Sequence, residues 1–87
     1  MKLTILYHPE SEFRRVVEEY AHDFERRKGA SIELISLETK EGADMAKLYG
    51  IVQYPAMLAV RDDGQLLKHW EGETLPLMDE AAAYLAP

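Results

Sequence analysis

Met45 to Glu73 reads MAKLYGIVQYPAMLAVRDDGQLLKHWEGE. Its first part is the end of a short helical stretch, ADMAKLYG, that closes on Gly50, because glycine enters the left-handed conformation that stops a helix without a Cβ penalty. After Ile51-Val52-Gln53 the pair Tyr54-Pro55 opens an apolar run from Ala56 to Arg61 that reads as a strand. Asp62-Asp63-Gly64 then forms a tight turn, since Gly64 can supply the positive φ that a short hairpin requires, and Gln65 to Trp70 returns as the partner strand. A helix is therefore followed by an antiparallel hairpin.

The rest of the chain fits around this unit. Lys2 to Tyr7 is a β-rich run without strict alternation, as expected of a central strand covered on both faces. From Phe13 the apolar residues Phe13, Val16, Val17, Tyr20, Ala21 and Phe24 draw one stripe along a helix. Arg26, Arg27 and Lys28 complement the negative end of its dipole, and Gly29 ends it. Ser31 to Leu37 reads as a second strand, after which the polar run ETKEG leads into ADMAKLYG. A helix between two strands implies a parallel crossover. Downstream, Thr74 is expected to cap a last helix with Pro76 in its first turn and Leu77, Met78, Ala81, Tyr84 and Leu85 as the buried stripe.

The order is β-α-β-α-β-β-α, which predicts an α/β fold: a four-stranded mixed sheet with helices on both faces, in a single domain over residues 1–87. The rival ferredoxin-like order needs a strand after the last helix, and only Ala86 and Pro87 follow Leu85. At 87 residues, 47% hydrophobic and 30% charged, the chain has the balance of one soluble domain with one modest core. A net charge of -6 repels a phosphate backbone, so nucleic acid is not an expected partner. No apolar run approaches the roughly 20 residues that span a bilayer. The opening MKLTILYHPE is too short and too quickly polar for a signal peptide, so no membrane partner is expected and a cytoplasmic location is the default. There is no cysteine, which excludes disulfides and thiol catalysis.

In this register the chain resembles the thioredoxin-like superfamily over nearly its full length. The resemblance rests on Tyr49-Gly50-Ile51 at a helix end, on Tyr54-Pro55 opening a strand, on Gly64 closing a hairpin, and on ungapped spacing back to Leu37. The short first loop and the overall length are more similar to a glutaredoxin or to the N-terminal domain of a glutathione transferase. The resemblance implies that the bond before Pro55 is cis and that this turn lies against the strand-to-helix turn. It also implies that the Tyr54 backbone pairs with an extended peptide or with glutathione, by strand addition. Laid on the family's Tyr-x-Pro-x-Cys-x-x-Cys pattern, YHPESEFRR (Tyr7 to Arg15) places Ser11 at the first cysteine and Arg14 at the second. A serine hydroxyl is a far poorer nucleophile than a thiolate and has no disulfide chemistry, so thiol–disulfide exchange is ruled out for this chain.

The candidate ligand-binding surface is His8, Ser11, Phe13, Arg14, Tyr54 and Pro55. Plainer roles compete for the same residues. Ser11 is expected to serve as a helix N-cap, and Arg14 to join a solvated ion-pair cluster with Glu18 and Glu10. His8 and Ser11 as base and nucleophile lack an orienting acid, and His8, His22 and His69 lack metal-ligand spacing. Trp70 is expected to pack against the adjacent helix. The leading functional expectation is a redox-inactive domain that binds a protein, a peptide or a small ligand without covalent chemistry, and no cofactor or metal is expected. One alternative is a glutathione-dependent transferase-like activity with Ser11 as thiolate partner. Glu10 and Glu12 beside the helix start, and the absence from KHWEGET of the Glu-Ser pair with which the glutathione transferases it resembles hold the glutamyl end, make glutathione the weaker partner. A second alternative is a structural or assembly domain with its surface near Trp70.

Overall fold

The computed structural model of the chain describes residues 1–72 and 74–85. In chain order the elements are β1 (Lys2–Tyr7), α1 (Arg14–Lys28), β2 (Ile32–Ser36), α2 (Lys40–Tyr49), β3 (Ala56–Val60), β4 (Leu66–Glu71) and α3 (Met78–Ala82), followed by a 3-10 turn (Ala83–Leu85). The sheet runs β2-β1-β3-β4. β1 pairs in parallel with β2, from Leu3 opposite Ile32 to Tyr7 opposite Ser36, and antiparallel with β3, from Lys2 opposite Val60 to Leu6 opposite Ala56. β3 and β4 form the expected hairpin. The order and the mixed sheet are those read from the sequence, and β1 is internal because Leu3 to Leu6 are buried on both faces.

Alternation along the central strands sends side chains to two cores. Leu3, Ile5, Met57 and Ala59 meet Val17 and Phe24 of α1 and Ala81 of α3 on one face. Leu6, Leu58, Val60 and Ile35 meet Ala46 of α2 and Ile51 on the other. Helices therefore cover both faces, as expected of strands apolar on both sides. Thr4 is the exception within β1: its hydroxyl is enclosed without a partner among the described residues, while its β-branched shape suits the strand. Trp70 packs edge-on against Tyr84 at 5.6 Å and its indole N–H donates to Glu80 at 2.8 Å, the expected packing against the adjacent helix.

Four local expectations are corrected. Val16, counted in the buried stripe, is 48% exposed, because the face that meets the sheet is centred on Val17 and Phe24. Ser11 is not the N-cap of α1; that position is Phe13, which makes no side-chain cap. α2 begins at Lys40, since Thr39 caps it by accepting the Gly42 N–H at 3.0 Å and so draws the polar residues before Ala43 into the helix. The last helix begins at Met78 rather than after Thr74. The Pro76 carbonyl is held by the Tyr20 hydroxyl at 2.7 Å, and Leu77 is extended and 77% exposed. Burial, reinforced by Glu80, pushes the Tyr20 hydroxyl up to about 12, so it remains a neutral donor. Lys28 and Asp79 add an ion pair between α1 and α3.

Candidate functional site

β1 delivers the chain to a turn that closes on itself. The Ser11 N–H donates to the His8 carbonyl at 3.0 Å and the Ser11 hydroxyl donates to the same oxygen at 2.7 Å. That hydroxyl accepts the Phe13 N–H at 3.3 Å, so Ser11 caps the turn ahead of the helix. The Arg14 N–H reaches the Ser11 carbonyl at 3.3 Å and starts α1. Arg14 Nε lies 3.4 Å from Glu18 Oε2 and Arg15 Nε lies 3.3 Å from Glu19 Oε1, both exposed i,i+4 pairs contributing a few tenths of a kcal/mol at most, on the order of 0.3.

The connection from α2 to β3 comes to rest beside this turn. The Tyr54-Pro55 bond is cis, as the resemblance implied, and Pro55 is fully buried. The Tyr54 ring meets the His8 ring edge-on, with centroids 5.4 Å apart and planes at 82°, and its hydroxyl donates to the Ile51 carbonyl at 2.8 Å. Under these rings lies a depression of about 330 Å³, lined also by Leu37, Ala43, Ala46, Lys47 and Ile51. A larger depression of about 410 Å³ sits between Tyr20 and the Pro76–Asp79 stretch, but its Tyr20 hydroxyl and Lys28 ammonium are already paired. Beside the His8–Tyr54 depression lies unused main chain: among the described residues neither the N–H nor the C=O of Tyr54 has a hydrogen-bond partner.

Of the six residues singled out from the sequence, His8 and Tyr54 line the depression and Pro55 lies buried next to Tyr54 in the chain. Ser11 faces the His8 carbonyl, and Arg14 turns along the helix to Glu18. Phe13 is half-buried at the helix start and does not line the depression. The sole hydroxyl proton of Ser11 is committed to a backbone oxygen, which counts against its donating to a thiolate.

The hydrogen bond from Arg14 to Ser11 spans a β-turn, which keeps the two Cα atoms within about 7 Å, near the reach of a disulfide. The double variant Ser11→Cys, Arg14→Cys should therefore lose both free thiols under mild oxidation while remaining monomeric on a non-reducing gel. Retention of two titratable thiols under those conditions would break the alignment of this turn with a Cys-x-x-Cys pattern.

One functional candidate lies outside the sequence-derived set. Glu71, at the end of β4, accepts the N–H groups of Val52 at 2.8 Å and Gln53 at 3.1 Å on the same carboxylate oxygen. Its other oxygen is 3.4 Å from His69 Nδ1. The backbone bonds to Val52 and Gln53, with His69 adding to them, hold the carboxyl below the ordinary glutamate range. Nothing in the sequence pairs residues so far apart, because the contact depends on the hairpin register that sets Glu71 opposite Ala56.

Among the described residues no group of three or more His, Asp or Glu stands ready to hold a metal, and no helix is long and apolar enough to cross a membrane. No protein-family model matches the chain, and a search of curated proteins finds no match. The class rests on the architecture: the β-α-β-α-β-β-α order with sheet β2-β1-β3-β4 is consistent with a thioredoxin-like fold. Lacking cysteine, the chain has no thiol–disulfide oxidoreductase activity.

Proposed function

We propose that this chain is a redox-inactive, thioredoxin-like domain, nearest in plan to a glutaredoxin, that binds an extended segment of a protein partner non-covalently beside His8 and Tyr54. The observation that carries this reading is the N–H and C=O of Tyr54, unpartnered among the described residues, at the edge of a mainly apolar depression. Main-chain hydrogen bonds supply attraction in strand addition, and neighbouring pockets take alternate side chains. Here the depression offers Leu37, Ala43 and Ile51 to an apolar side chain, with Lys47 among its lining residues. The transferase-like alternative loses support from the committed Ser11 hydroxyl, and an assembly surface at Trp70 loses support from the contacts its ring and N–H already make with Tyr84 and Glu80.

The test is a titration of isotope-labelled protein with a set of extended peptides, read from backbone amides. One pair of backbone hydrogen bonds contributes on the order of 0.5–1.5 kcal/mol each, so with a small apolar contact the expected Kd is roughly high-micromolar to millimolar. The amides of Tyr54 and of the depression should move first. No response at Tyr54 to any peptide at millimolar concentration would end the groove reading. Glutathione in the same range should leave Ser11 and Tyr54 unmoved; a saturable shift at both would favour the transferase-like alternative instead.

A further inference from the structure

We infer that Glu71 is a positioning residue for this site: its carboxylate locks the α2–β3 connection and leaves Tyr54 as the one N–H there that has no partner among the described residues and so can meet an incoming strand. Every other N–H in the connection is accounted for. Ile51 donates to the Ala46 carbonyl at 2.9 Å, Val52 and Gln53 donate to Glu71, and Pro55 has no N–H to give. Tyr54 remains, and it is the residue whose ring borders the depression. The lock comes from across the hairpin. Glu71 opposes Ala56 in the β3–β4 register, and the next residue, Gly72, donates to the Pro55 carbonyl at 3.1 Å with a φ of 105°, a conformation that favours glycine. The end of β4 therefore grips both sides of Tyr54, through Glu71 ahead of it and Gly72 behind it.

The Glu71 side chain is 21% exposed, and the titratable group facing it among the described residues is His69 on its own strand. A carboxylate that accepts two backbone N–H groups favours its charged form, so the lock persists at neutral pH and weakens only on acidification. The wider consequence is specificity of register. A strand whose carbonyl could take the N–H of Val52, Gln53 or Tyr54 has several settings; one whose carbonyl can take only the Tyr54 N–H has one. That consequence rests on the strand-addition reading, whereas the lock itself does not.

Amide hydrogen exchange in the intact chain tests it, comparing wild type with Glu71→Ala and Glu71→Gln. Exchange at Val52 and Gln53 should quicken at least about tenfold in Glu71→Ala, with amides near Phe24 unchanged, and stay within about threefold of wild type in Glu71→Gln, whose oxygen can still accept. In wild type the Val52 and Gln53 amide shifts should titrate together, with one midpoint below the ordinary glutamate range, and this titration should vanish in Glu71→Gln even if the alanine variant folds poorly. Unchanged exchange at both amides in a folded Glu71→Ala, or amide shifts that titrate alike in wild type and Glu71→Gln, would overturn the inference. A peptide that protects Val52 as well as Tyr54 in wild type would overturn it too. Faster exchange in Glu71→Ala with no peptide response anywhere upholds the lock and removes the strand-addition reading alone.

Discussion

Phe24→Ala is expected to lower the free energy of unfolding by about 3–5 kcal/mol, the usual range for truncating an aromatic side chain in a core. Phe24 is fully buried on α1, packs into the core formed with Leu3, Ile5, Met57 and Ala59, and lies against Tyr20 with ring centroids 6.3 Å apart. Removing the ring leaves a cavity that the flanking strands cannot close, because β1 and β3 are held by ladders on both sides. Marginal stability of roughly 0.05–0.15 kcal/mol per residue implies a domain of this size stands only about 4–13 kcal/mol above unfolding, so the variant should lose a large share of its stability, and at the low end of that range it sits near its midpoint without denaturant. The control is Val16→Ala on the same helix, at a position 48% exposed, where a change within about 0.5 kcal/mol is expected. Urea unfolding decides it through the midpoint at constant slope. Comparable losses at the two positions would mean that the helix is rotated from the face described.

That contrast marks how far a periodic reading of α1 could reach. Spacing alone placed Val16 and Val17 in one stripe, since both fall within the apolar arc. Only the position of the sheet decides that Val17 is buried and Val16 lies at the rim. The strands were plainer, because β1 and β3 are apolar on both faces and bounded by turn residues, and the Asp62-Asp63-Gly64 turn joined β3 to β4 without ambiguity. The start of the last helix was obscured by a hydrogen bond between distant residues, from Tyr20 to Pro76, that no local pattern announces.

The candidate site divides in the same way. His8, Tyr54 and Pro55 stand at element ends that the sequence marks with proline and aromatic residues, and the structure brings them together. Leu37, Ala43 and Ile51 look like ordinary core or helix residues in the sequence, and they become a lining only when α2 is laid beside the β1 turn. In the sequence Glu71 is one acid among sixteen, with nothing local to set it apart. Its role as a backbone acceptor depends on folding β4 back along β3. Residues whose contribution is local were legible, whereas those acting through tertiary register were not.

Gly42→Ala should be the second severe variant, and its direction is opposite to what helix propensity predicts. Gly42 lies in the first turn of α2, and alanine in place of a helical glycine ordinarily stabilises by up to about 1 kcal/mol. Here a Cβ would stand 2.0 Å from the Ser36 carbonyl oxygen and 2.8 Å from its carbon, with the Ile35 side chain at 3.2 Å. The obstructing atoms are backbone at the end of β2 and cannot swing aside. They are fixed further by Thr39, whose N–H and hydroxyl donate to that same Ser36 oxygen at 3.2 and 2.7 Å while its hydroxyl oxygen accepts the Gly42 N–H at 3.0 Å. Relief requires α2 to move off the sheet, and an overpacking penalty near the upper end of about 1–3 kcal/mol, less the propensity gain, should leave a net loss of about 2 kcal/mol. The same displacement would shift Ala43, Ala46 and Lys47 at the depression, so peptide-induced shifts at Tyr54 should weaken along with stability. Ala43→Gly, one residue on and exposed, calibrates the propensity term with an expected loss of about 1 kcal/mol. A neutral or stabilising Gly42→Ala would show that α2 does not approach β2 this closely, and the depression beside His8 and Tyr54 would have to be redrawn.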